Sequence, residues 1–197
     1  EVSFFWLKAF GNQAITMPGP QSSEVYKPYV NPGKFEGVLP VLWRDRGDTI
    51  YEVPQRSRAL IHVIPAQAVV KRQPVHGLDL EPAQAYVAAL DDPGMPAVEP
   101  HWEGLPKVTF RASLRENQVI SIQMNHAKGW RARVRGESRA VTKDGLGLMI
   151  VDPRCTGDCP VELEFGPTAE TWICRLLSGA AMLLLLASGA GMVDNRS

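Results

Sequence analysis

The sequence predicts a mainly β protein: an antiparallel, jelly-roll-like β-sandwich with a small α/β N-terminal part and a C-terminal transmembrane helix. Three observations carry that prediction. From Lys107 onward, apolar and polar residues alternate with a period close to two, the mark of strands with one buried face. Glycine and proline are frequent, at 17 and 16, which suits short strands joined by turns better than a helical bundle. Finally, residues 176–193 carry no charge and include Met182-Leu183-Leu184-Leu185-Leu186. A helix of that length spans about 27 Å, close to the ~30 Å hydrocarbon thickness of a bilayer.

In chain order, residues 1–10 read as an amphipathic helix end stopped by Gly11, and residues 14–17 as a short strand. Residues 18–23 form a loop, and residues 26–37, broken by Pro28, Pro32 and Gly33, are irregular. Residues 38–43 and 49–53 are two strands of a hairpin around the polar turn at 44–48. Residues 59–64 and 66–70 are apolar strands broken at Pro65. Asp79 is placed to cap a short helix over residues 81–90, with Pro82 in its first turn. The resulting division is an N-terminal part over residues 1–73, a linker with a short helix over 74–104, the sandwich over 105–168, and the membrane helix over 172–193.

Within the sandwich, Val108, Phe110 and Ala112 share a face opposite Thr109, Arg111 and Ser113. Ile120, Ile122 and Met124 repeat the pattern, and Val161, Leu163 and Phe165 alternate with Glu162 and Glu164. Trp130, Ala132 and Val134 alternate with Arg131, Arg133 and Arg135. Turns are expected at Gly136-Glu137 and Asp144-Gly145. The membrane helix is flanked by Trp172 and Arg175, where interfacial anchors belong.

Composition narrows the partners. Basic and acidic residues both number 21, so nothing suggests a polyanionic partner, and nucleic acid is excluded from the expectations. The chain begins at Glu1, without a basic start or a small-residue cleavage site, and reads as a fragment or processed product. Cys155 and Cys159 bracket a turn. A small disulfide loop is the leading reading, with free thiols or a metal site as alternatives; a zinc site wants four ligands and no second pair exists.

Candidate chemistry is sparse. Asp91-Asp92 precede Pro93-Gly94 and suit a turn better than an acid/base pair. His62 and His76 read as structural, and His101 and His126 stand isolated. No G-x-S-x-G, H-E-x-x-H or P-loop pattern occurs, so no catalytic residue and no cofactor is assigned. Trp130 reads first as a core aromatic and second as a platform for a sugar ring. Arg131, Arg133, Arg135 and Arg139 form a basic stripe that is either a solvated face, balanced by Glu162 and Glu164, or a contact for anionic headgroups.

The run His126-Ala127-Lys128-Gly129-Trp130-Arg131-Ala132-Arg133-Val134-Arg135-Gly136, then a hairpin, strands at 148–151 and 161–165 and an apolar helix, forms a recognisable layout. It resembles the C-terminal extracytoplasmic region of bacterial YfhO-type and related GT-C-like polytopic membrane proteins, some of which carry a pyruvoyl-tetrahydropterin-synthase-related label. Thr49-Ile50-Tyr51-Glu52-Val53 is similar to a strand those proteins place before the sandwich. The chain departs from the pattern at Arg135, where the family often has Asp, and at Ala127-Lys128, where an aromatic and a proline are common.

The resemblance implies an accessory module of a membrane glycosyltransferase-like protein of cell-envelope glycan or glycolipid assembly, lacking the catalytic centre. Its partners would be the bilayer, the remaining transmembrane part of the parent, and a glycan or polyprenyl-phosphate-linked sugar. Trp130, Arg131 and Arg133 would be the ligand contacts. The place would be the bacterial inner membrane, with residues 1–170 on the extracytoplasmic side. The alternative is a membrane-anchored interaction or structural module with no sugar role.

Overall fold

The computed structural model describes residues 1–19, 22, 31, 33–45, 47–104 and 106–193. Its elements are α1 (Val2–Ala9), β1 (Ala14–Met17), β2 (Val41–Asp45), β3 (Asp48–Glu52), β4 (Ile61–Pro65), a 3-10 turn (Ala66–Ala68), α2 (Glu81–Asp91), β5 (His101–Trp102), β6 (Lys107–Leu114), β7 (Gln118–Asn125), β8 (Trp130–Val134), β9 (Glu137–Arg139), β10 (Val141–Lys143), β11 (Leu148–Val151), β12 (Gly157–Phe165) and α3 (Ala169–Val193). Strand dominates over helix and every strand pairing is antiparallel.

Two sheets face one another. The four-stranded sheet runs β10-β11-β7-β4 and the five-stranded sheet runs β5-β6-β12-β8-β9. The inward residues of both make one core: Ile61, Val63, Ile120, Ile122, Met149 and Val151 from the first, and Val108, Phe110, Ala112, Ala132, Val134, Cys159, Val161 and Leu163 from the second. The alternation at β6, β8 and β12 follows, because only one face of the five-stranded sheet is dry.

The four-stranded sheet is covered on both faces. Its second face carries Ile64, Val119, Leu148 and Ile150, which pack with Ala9 of α1 and with Ala83, Tyr86, Val87 and Leu90 of α2. Hence β11 is buried at every position instead of alternating. The small sheet, in order β1-β3-β2, closes a third cluster of Met17, Phe35, Leu39 and Tyr51 against Phe4 and Leu7 of α1.

Several expectations change in detail. β4 lies in the stretch expected to precede the sandwich, yet it pairs with β7 from Ile61↔Ile122 to Pro65↔Gln118 and forms an edge of the sandwich sheet. The strand expected over 66–70 is a 3-10 turn, since Pro65 ends the ladder with its missing N–H and Ala66 N–H turns to Asn117 O. Asp79 does not cap α2. Leu80 is the cap residue, and Asp79 is drawn instead to the Arg72 guanidinium (2.6 Å) and the Val75 N–H (2.9 Å). The turn expected at Gly136-Glu137 falls one residue earlier, with Arg135 at φ 51° and Gly136 at φ 81°, the paired positive values of a tight hairpin turn. Half of the loop at 18–23 and half of the irregular stretch at 26–37 lie outside the described residues.

α3 continues directly from β12 through residues 166–168. Among the described residues no helix is long and apolar enough to cross a membrane, and part of the span expected at 172–193 lies outside the residues whose side chains are described.

Candidate functional site

The outer face of the five-stranded sheet is a polar grid fixed by strand register. One transverse row runs His101 (β5), Thr109 (β6), Glu162 (β12), Arg133 (β8) and Ser138 (β9), each directly opposite the next. A second row, two residues along, runs Lys107, Glu164 and Arg131. Such rows are about 7 Å apart along a strand. In both, a carboxylate stands between a basic or polar side chain on β6 and an arginine on β8, an arrangement that favours sheet pairing.

The field of the grid is visible on Lys107. Its ammonium is held above its ordinary pKa first by a hydrogen bond and attraction to Glu103, with further contributions from Glu162 and Glu164. Arg111 is a different case: it grips the Asp158 carboxylate across the same sheet, holding that carboxyl below its ordinary range. Among the described residues, Arg131 and Arg133 form no ion pair within 4.0 Å. Their donors are therefore available to a ligand.

Over this face opens a groove of about 700 Å³, lined among others by Glu99, His101, Thr109, Arg111, Arg133 and Glu162. A smaller hollow of about 130 Å³ lies between Arg131, Arg133, Ser138, Glu162 and Glu164. Guanidinium donors and carboxylate acceptors alternating at strand spacing can bond vicinal hydroxyls or a phosphate oxygen.

The expected stripe of four arginines divides in two. Arg131 and Arg133 stay on the open face. Arg135, turned by its positive φ, donates to Thr156 O and Asp158 O at 3.1 Å each. Arg139 donates to Pro153 O at 3.0 Å and pairs with Glu137. Both therefore brace the loop that holds Cys155 and Cys159, which are joined in a disulfide with Cα atoms 6.3 Å apart. Cys174 is free and exposed.

Trp130 is half-buried. It packs on the sandwich core and meets Phe165 edge-on, with ring centroids 5.4 Å apart. Its indole thus fills the end of the sandwich and lies on the opposite strand face from Arg131 and Arg133, so the three ligand candidates do not converge on one point.

Asp91, Asp92, His62 and Ser121 are structural. Asp91 pairs with Lys8 at 2.6 Å, and Asp92 accepts from Gly94 N–H at 2.8 Å to close its turn. His62 and Ser121 are buried cross-strand neighbours, but Ser121 donates to Tyr86 Oη (3.3 Å) and His62 Nε2 bonds Gln123 Oε1 (2.9 Å). Burial holds the His62 imidazole below its ordinary pKa, with the Gln123 bond opposing. Neither residue is poised as a nucleophile or base. Among the described residues no group of three metal-ligating side chains occurs.

His101 stands isolated in the sequence, because its place in the row depends on pairing with Thr109. No family model, no curated protein and no solved structure matches the chain.

Proposed function

We propose that this chain is an extracytoplasmic accessory module of an integral membrane glycosyltransferase-like protein, holding the saccharide part of a lipid-linked substrate beside the bilayer and leaving the chemistry to the parent. The observation that carries the reading is the open grid of Arg133, Glu162, Thr109 and His101 beneath its groove, on the sheet whose strand β12 leads into α3. Glu162 precedes Ala169 by a stretch that can extend at most about 25 Å, so the grid stays near the base of the helix.

α3 supplies the tether. Trp172, Ile173, Leu176, Leu177, Met182, Leu183 and Leu185 are all exposed, and among the helix residues whose side chains are described none is buried. A helix apolar on all sides needs a non-aqueous surround, and residues 176–193 extend the uncharged run to bilayer length. The disulfide between Cys155 and Cys159 suits an oxidising compartment and so supports an extracytoplasmic position for residues 1–170.

The test is equilibrium binding of a polyprenyl-phosphate-linked disaccharide to the full chain in lipid nanodiscs. Arg133→Gln combined with Glu162→Gln is expected to weaken binding at least about tenfold with an unchanged melting temperature. Equal affinity in the variant, or none in the wild type, rejects the reading. A second reading, a membrane-anchored interaction module with no sugar role, is favoured by β2, where Val41, Leu42 and Trp43 are exposed on an edge strand.

A further inference from the structure

On the far side of the four-stranded sheet from the grid lies a second cleft, of about 580 Å³, lined by Trp6 of α1 and Phe10 just after it, by residues of the 73–77 loop, and by the β10–β11 turn from Lys143 to Gly147. Its walls are held by specific bonds. Trp6 Nε1 donates to Gly77 O at 2.6 Å, which fixes the indole against the loop. The loop itself is closed by the Arg72–Asp79 pair and by Val75 N–H donating to Asp79, whose carboxyl is held down to about 2, chiefly by the Arg72 hydrogen bond. Gly145 N–H donates to Val70 O at 2.7 Å, and a Cβ at Gly145 would meet Arg72 O at 2.5 Å, so only glycine permits this close approach.

The lining has a particular chemistry. Trp6 and Phe10 are near-parallel, with centroids 6.1 Å apart, and Phe10 is 43% exposed, so an aromatic surface is open to the cleft. Around it stand Gln73, His76, Lys143 and Asp144. Asp144 Oδ1 accepts from Leu146 N–H and Leu148 N–H (2.8 and 2.9 Å), while its buried Oδ2 has no partner among the described residues. Lys143 opposes Asp144 in sign, so a ligand of either net charge would meet like charge. The fitting ligand is neutral, with one apolar face and a hydroxylated edge.

We infer that this cleft is a saccharide-binding subsite in which a pyranose ring stacks on Phe10 and Trp6 while its hydroxyls bond Gln73, His76, Lys143 and the Asp144 turn. Its size is that of a small-molecule pocket. It shares no lining residue with the groove on the five-stranded sheet, so the inference does not depend on that groove being occupied.

The test is an amide and indole NMR titration of the full chain in detergent micelles with N-acetylglucosamine and its β-1,4-linked disaccharide. Sorbitol, which has hydroxyls but no ring face, is the control. Saturable shifts of the Trp6 indole N–H, Gly77 and Gly145 are expected, with Kd in the millimolar range or tighter, weakened about tenfold by Phe10→Ala. Phe10 is exposed enough that its truncation leaves the rest of the spectrum in place, and Lys143→Ala provides a second, strand-edge variant expected to weaken binding. No shifts with either sugar, equal shifts with sorbitol, or unchanged affinity in both variants overturns the inference. Shifts confined to Thr109, Arg133 and Glu162 support the grid and reject the cleft.

Discussion

Replacing Gln123 by Leu probes the bond that joins the helical layer to the sandwich. Gln123 is buried on β7. Its Nε2 donates to Lys8 O (2.8 Å) and Ala9 O (3.1 Å) at the end of α1, and its Oε1 bonds His62 Nε2 (2.9 Å) on β4. Leu keeps the bulk and removes all three bonds. Lys8 O still receives Gly11 N–H at 3.0 Å, so the new orphans are Ala9 O and His62 Nε2. At about 1–3 kcal/mol for each stranded buried group, less about 1 kcal/mol from added apolar burial, the net loss is about 3 kcal/mol. With a urea slope of about 2 kcal/mol/M, the midpoint of the full chain falls by about 1.5 M. Combining it with His62→Leu removes one orphan, so the double variant loses less than the sum of the singles. A loss under about 1 kcal/mol, or strict additivity, would refute the reasoning.

Three other outcomes follow from the same packing. Because burial lowers the folded-state pKa of His62, the unfolded chain binds the extra proton first; stability is therefore full above the ordinary imidazole value of about 6.5 and falls as pH drops from there through the folded pKa. Urea midpoints across that range should show the slope, and His62→Leu should flatten it. Gly11→Ala places a Cβ 2.7 Å from Gln123 Oε1 at φ +67° and is expected to destabilise by about 1–3 kcal/mol, whereas Asn12→Ala, at an exposed site, should not, as thermal melts will show. Reduction of the Cys155–Cys159 bridge, which closes a loop with sequence separation 4, should cost about 2 kcal/mol in a melt with and without dithiothreitol.

How far the sequence could be read follows from which faces are wet. β6, β8 and β12 were legible from alternation because water covers one side of their sheet. β4 and β11 carry apolar residues on both faces, so their pattern does not say which sheet they join; β4 entered the sandwich only through its distant pairing with β7. The grid was half legible. Arg131, Arg133, Glu162 and Glu164 stood out, but their alignment with His101 and Thr109 is a property of register, which no local window contains. Arg135 looked like one more member of the stripe; the Arg135-Gly136 pair is the signal that it belongs to a tight turn and leaves the face. The cleft at Trp6 and Phe10 was not legible, since it joins α1 to a turn more than 130 residues away.

The most direct test of the central claim is an NMR map of the full chain in lipid nanodiscs titrated with a polyprenyl-phosphate-linked disaccharide. The account predicts saturable shifts centred on Thr109, Arg133 and Glu162, with lipid contacts confined to α3. Saturating amounts of the ligand that leave those three residues unmoved, or an α3 protected by protein instead of lipid, would contradict it.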